Sequence, residues 1–154
     1  MDQAAKLAAA KQIVTMVRRF DAPPEALFRA WIERDQLGKW LGVPNRQTLV
    51  ETLDARVGGA YRIHFAGGDM PENIVVGIFR EIVPSNRLVL SWAWEAGSGG
   101  LPTEETLITV TFRAIGKETE MTLVHEGFES TEWAGRHEHG WACGFDNLAA
   151  LLAA

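Results

Sequence analysis

A single cysteine, Cys143, stands in a chain of 154 residues, which excludes an internal disulfide and a cysteine-rich zinc site. No stretch approaches the roughly 18 apolar residues of a membrane-spanning helix. The opening MDQAAKLAAAKQ has neither the basic start nor the apolar run of a secretory signal, so the expected setting is the cytoplasm. Basic side chains are the minority, 15 Lys and Arg against 20 Asp and Glu for a net charge of −5, which argues against the basic stripe of a nucleic-acid binder. Tyrosine is scarce as well: one Tyr accompanies six Trp and seven Phe. Rings of that kind fill a core or wall a ligand pocket. Phosphate-cradling and nucleophile-elbow motifs are absent, and Gly97-Ser98-Gly99-Gly100 falls between strands instead of at a strand-to-helix turn. That loop reads as a flexible rim.

With 47% apolar and 23% charged residues, the chain has the composition of one ordinary globular domain. Residues 1–12 read as a flexible or weakly helical leader and residues 13–154 as the domain. The run IVTMVRRF is strand-like and stops at Asp21-Ala22-Pro23-Pro24, whose prolines suit the first turn of a helix. Leu27, Phe28 and Trp31 then make a short amphipathic helix. A second short helix follows, with Asp35 as its cap, Leu37, Trp40 and Leu41 inside, and Gly42 and Pro44 at its end.

From residue 48 to residue 125 the period changes to two. TLVETLDARV and AYRIHF flank Gly58-Gly59, and IVVGIFREIV turns at Pro84-Ser85-Asn86 into RLVLSWAW. In that return strand Leu88, Leu90, Trp92 and Trp94 share one face. Ile108, Val110 and Phe112 share a face of the next strand, and Met121, Leu123 and His125 share one in the last. Strands that follow one another without helices form an antiparallel sheet. From Thr131 to Leu152 the residues Trp133, His137, Trp141, Phe145, Leu148 and Leu152 form one helical stripe. This helix is the only element long enough to cover the apolar face of the sheet.

Among the chemical side chains, His137 and His139 are two apart on a helix and cannot share a metal ion. No metal site and no cofactor are expected. A core histidine bonded to a backbone carbonyl is the leading account of His125 and His137; any acid/base chemistry would fall to this pair, with Glu126 or Tyr61 as partners. Asp54 and Arg56 read as an ion pair on one strand face beside the glycines, with Glu51 and Arg62 near. Gly140 and Gly144 flatten a strip of the helix that admits a strand, a ligand or another subunit. Cys143 reads as a packing residue.

The words RRFDAPPEALFRAWIERDQLGKWLG, LDARVGGAYR, GIFREIVPSNRLVLSWAWE and TLITVTFRAIGKETEMTLVHEGF, leading to HEHGWACGFDNLAALL, resemble in order the START-like SRPBCC superfamily, in particular its bacterial branch similar to the activator of heat-shock-protein ATPase. The resemblance implies an α+β helix-grip fold: a curved antiparallel sheet wrapped around a long C-terminal helix, with two short helices after the first strand. It also implies a cavity for a small hydrophobic or aromatic molecule, lipids included, and transfers no catalytic residue. The candidate ligand-binding set is Trp31, Trp40, Tyr61, Trp92, Trp94, Phe112, His125, Trp133, His137, Trp141 and Phe145. The alternatives are a cyclase, dehydratase or hydrolase using cavity histidines, and an interaction module that stimulates a chaperone ATPase. An exposed sheet edge would permit a homodimer.

Overall fold

The computed structural model describes residues 11–96 and 101–154, and among these described residues are seven strands and three helices. The first ten residues of the expected leader and Gly97-Ser98-Gly99-Gly100 lie outside the described residues. Strand β1 (Gln12–Phe20) leads into α1 (Pro24–Ile32) and α2 (Arg34–Trp40). Then come β2 (Gln47–Leu53), β3 (Ala60–Ala66), β4 (Asn73–Val83), β5 (Arg87–Trp94), β6 (Thr106–Ile115), β7 (Glu118–Phe128) and the long α3 (Thr131–Ala153).

The spatial order is β1-β7-β6-β5-β4-β3-β2, and every neighbouring pair is antiparallel, as hairpin connections require. The inner face carries Tyr61, Ile63, Val75, Phe79, Leu90, Trp92, Ile108, Val110, Met121 and Leu123, all buried. Helices α1 and α2 and the C-terminal half of α3 complete the core through Leu27, Trp31, Trp40, Trp141, Phe145 and Leu148.

Local chemistry explains most boundaries. Pro23 caps α1 and Pro24 opens it, where a missing N–H costs nothing. The cap of α2 is Glu33 and not Asp35, which lies inside the first turn; α1 and α2 share that one residue as an end and a start, so no earlier loop is left for an aspartate cap. Strand β2 ends at Leu53, four residues short of the sequence expectation, because Asp54–Gly59 is a turn: the Asp54 N–H donates to Ala60 O and the Gly59 N–H to Arg56 O. Asp54 and Arg56 therefore pair across the turn at 2.8 Å instead of along a strand. Gly58 has φ +84°, a left-handed conformation open to glycine, and a Cβ on Gly59 would stand 2.0 Å from the Asp54 carbonyl oxygen.

Candidate functional site

The expected ring set converges on the space between β5, β7 and the two ends of the helical layer. Trp31 and Trp40 meet at 4.9 Å between ring centroids, Trp31 and Trp141 at 5.6 Å, and Trp141 and Phe145 at 6.0 Å. Trp92, in the middle of β5, touches Trp141 at 5.3 Å, Trp94 at 5.7 Å and Tyr61 at 6.5 Å. His125 and His137 stand edge to face at 5.2 Å. Trp133 lies half-buried at the rim with the Arg136 guanidinium over its ring at 4.9 Å. Phe112 does not join them; it packs on Phe28 of α1 at 6.1 Å.

Two neutral imidazoles organise the polar part of this space. An indole N–H can only donate, so the Trp141 Nε1–H that reaches His125 Nδ1 at 3.1 Å makes that nitrogen the acceptor. The proton of the neutral ring therefore sits on Nε2 and is donated to Thr106 Oγ1 at 2.7 Å. Thr106 in turn donates to the Trp92 carbonyl at 2.8 Å. The second chain runs the same way: Trp94 Nε1–H donates to His137 Nε2 at 3.0 Å, and His137 Nδ1–H donates to the Trp133 carbonyl at 2.8 Å. All four ring nitrogens are engaged. Burial pushes the His125 pKa well below the usual imidazole value, with the neighbouring His137 adding to the effect. Burial also lowers that of His137, against the opposing pull of its bond to Trp133. Burial holds the Tyr61 phenol well above its ordinary value, helped by Glu105.

Neither expected histidine partner takes part. Tyr61 donates its hydroxyl to the Ser91 carbonyl at 2.5 Å, passing over Gly77, where a Cβ would lie 2.5 Å from the phenol oxygen and 2.0 Å from Ser91 O. Glu126 pairs in register with Ile13 and Leu107, and its neighbour His125 is turned to the opposite face. At the glycine strip, Gly144 receives the Trp40 ring of α2, 3.4 Å from where a Cβ would be, and nothing lies within 4 Å of that point at Gly140.

Two participants escaped the sequence reading. Thr106 shares the inward alternation of Ile108, Val110 and Phe112, a signal that was present. Phe128, 4.4 Å from His125 and 4.6 Å from His137, points inward only because Gly127, at φ +103°, resets the alternation through a bulge.

The aromatic side chains fill most of the space that they enclose. Among the described residues, space of about 20 Å³ remains at each of two places. One is enclosed by Trp31, Leu37, Tyr61, Phe79, Trp92 and Trp141. The other opens at the start of α3, between Trp92, Trp94, Phe128, Trp133 and His137, with Glu104 and Glu129 at its edge. Each has room for about one water molecule, and Trp92 borders both. A larger groove of about 430 Å³, open to solvent, runs along Thr52, Arg62, Val76, Ile78 and Ala93 and reaches Tyr61 at Gly77 and Ser91. Among the described residues no three His, Cys, Asp or Glu side chains are close enough to hold a metal ion, and no helix is long and apolar enough to cross a membrane.

A seven-stranded antiparallel sheet closed by a long C-terminal helix, with two short helices after the first strand, defines the helix-grip class. Residues 21–153 match the family of activator of Hsp90 ATPase homolog 1-like proteins, and the chain belongs to that family. Similar solved structures include a protein from Chromobacterium violaceum, 28% identical with TM-score 0.82, covering 91% of this chain and 96% of that one. A protein from Rhizobium loti is 26% identical with TM-score 0.76, over 91% and 96% of the two chains. One from Silicibacter pomeroyi, 23% identical with TM-score 0.80 over 92% and 98%, shares the fold. No curated protein matches the sequence.

Proposed function

We propose that this protein binds a small hydrophobic or aromatic molecule between the sheet and the N-terminal half of α3. The observation that carries this reading is the unequal packing of α3. In its C-terminal half Trp141, Gly144, Phe145 and Leu148 are buried, whereas Ala134 alone is buried among residues 131–140. Those first turns are tied to the sheet by the Trp94–His137 hydrogen bond over a cavity that already exists. Trp92 borders both this cavity and the inner one, so a ligand entering beneath these turns would meet its ring. Burial of the ligand at about 25 cal/mol per Å² of apolar surface would drive binding.

The histidines favour binding over turnover, because an acid or base must come within hydrogen-bond reach of a substrate atom and all four ring nitrogens are bonded to protein groups. A chaperone-docking patch has less support: the exposed large apolar residues, Ile13 and Val17 on β1, Leu49 on β2, Val57 before β3, Met70 before β4, and Ile78 and Val83 on β4, are spread from one edge of the sheet to the other. Mass spectrometry of the freshly purified protein, native against denaturing, tests the reading. A reproducible extra mass lost on denaturation is the expected result. A bare polypeptide mass, together with no thermal shift from a panel of hydrophobic compounds, would overturn it.

A further inference from the structure

Trp92 is 6% exposed, and its indole N–H has no hydrogen-bond partner. The other unpartnered buried atom among the described residues, Arg46 Nε, belongs to a guanidinium that still donates to Asn73, Phe65 and Pro71. Trp92 has no second polar atom on its side chain, so its whole hydrogen-bonding capacity is unmet, a state that folded proteins rarely keep.

No neighbouring ring is able to accept that proton. His125 Nδ1 has its lone pair in the bond from Trp141, and His137 Nε2 in the bond from Trp94. The remaining nitrogen of each ring is a donor. Trp94 and Trp141 offer only N–H groups, already used. The Tyr61 hydroxyl is turned toward Ser91. No ring among the described residues therefore supplies an acceptor for Trp92, which leaves a water molecule or a ligand entering the space on either side of its ring.

The same inventory narrows the chemistry of that acceptor. A cation carries no lone pair for the N–H. An anion would meet the carboxylates of Glu104 and Glu129 at the opening, and Lys11, the nearby ammonium, is paired with Glu129. A ligand hydroxyl or amine would bury a donor among rings whose acceptors are taken. We propose that the ligand is an uncharged, flat apolar molecule with a carbonyl-type oxygen, ketone, ester, amide or quinone, seated on the Trp92 N–H. This rests on the reading of the interior as a ligand site.

Three probes of one shape separate the possibilities: acetylnaphthalene, ethylnaphthalene and naphthol, titrated into the full-length protein and followed by calorimetry. Acetylnaphthalene should bind about tenfold more tightly than ethylnaphthalene, the scale of one neutral hydrogen bond to a previously unmet donor. That preference should vanish in Trp92→Phe while ethylnaphthalene binding persists. In the wild-type protein, the Trp92 indole proton resonance should shift with the acetyl probe and stay in place with the ethyl one, a readout that needs no variant to fold. Equal affinities of the acetyl and ethyl probes, tightest binding of naphthol, or an unmoved indole resonance would overturn the proposal with the ligand site intact. Failure of all three probes to bind would remove the ligand site itself, and the proposal with it.

Discussion

The indole N–H of Trp94 donates to Nε2 of His137 across 3.0 Å, joining the end of β5 to the second turn of α3 and keeping the imidazole neutral. Protonation at Nε2 would set two donors against each other. His125 is in the same position beneath Trp141.

Stability should therefore fall on mild acidification. Both imidazole pKa values are lowered by folding from an ordinary 6.5, so between that value and the folded ones the unfolded chain binds more protons than the native one. The full stability is present above pH 6.5 and is lost progressively as pH falls through the folded values. Urea unfolding at a series of pH values should show this decline in the wild type and a flatter profile below pH 6.5 in a His125→Gln, His137→Gln double variant. Matching slopes in the two proteins would contradict the assignment.

Trp94→Phe removes the N–H and keeps most of the ring. It should cost about 1 kcal/mol and move the His137 titration, followed by its imidazole proton resonances, upward toward 6.5, because the protonated Nε2 no longer confronts a donor. A titration that does not move would show the bond to be incidental.

Acid should also act in a second, lower window. The bond to His64, with Arg62 close by, holds the Glu51 carboxyl below its ordinary value, and Arg62 does the same for Glu95. Their contribution is present above about pH 4.5, the ordinary carboxyl value, and fades as pH falls through their folded values. Arg62→Gln should flatten the profile below pH 4.5.

The glycines should sort by the space around them. Gly140→Ala meets nothing within 4 Å and should stabilise α3 by up to about 1 kcal/mol, a gain of about 2–4 °C in Tm for a chain of this size. Gly144→Ala brings a Cβ to 3.4 Å from Trp40 and should gain less. Gly77→Ala collides with Ser91 O and the Tyr61 ring and should lose about 1–3 kcal/mol or more. Thermal unfolding of the three variants checks the order.

Thr119, fully buried, donates to the Ala22 carbonyl at 2.7 Å and joins β7 to the turn before α1. Thr119→Val leaves that carbonyl unpaired and should cost about 1–3 kcal/mol in urea unfolding. A loss under half a kcal/mol would mean that the turn finds another donor.

What could be read from the chain follows the reach of each signal. The two-residue period of LVLSWAW and TLVH, and the stripe from Trp133 to Leu148, are properties of neighbouring backbone directions, so strands, faces and the long helix were determined by the sequence alone. Signals that depend on one residue's backbone, such as the phase reset at Gly127 or the cap at Glu33 in place of Asp35, sat at its edge. Convergence of Trp92, His125 and His137 was legible as a shared inward face, but their bonds were not. Which indole donates to which imidazole depends on the register of β5, β6 and β7 and on the height of α3 above them. The remaining cavity space is the small difference between an enclosed volume and the rings packed inside it. Only the assembled tertiary structure decides that difference, and with it the buried Trp92 N–H left without a partner.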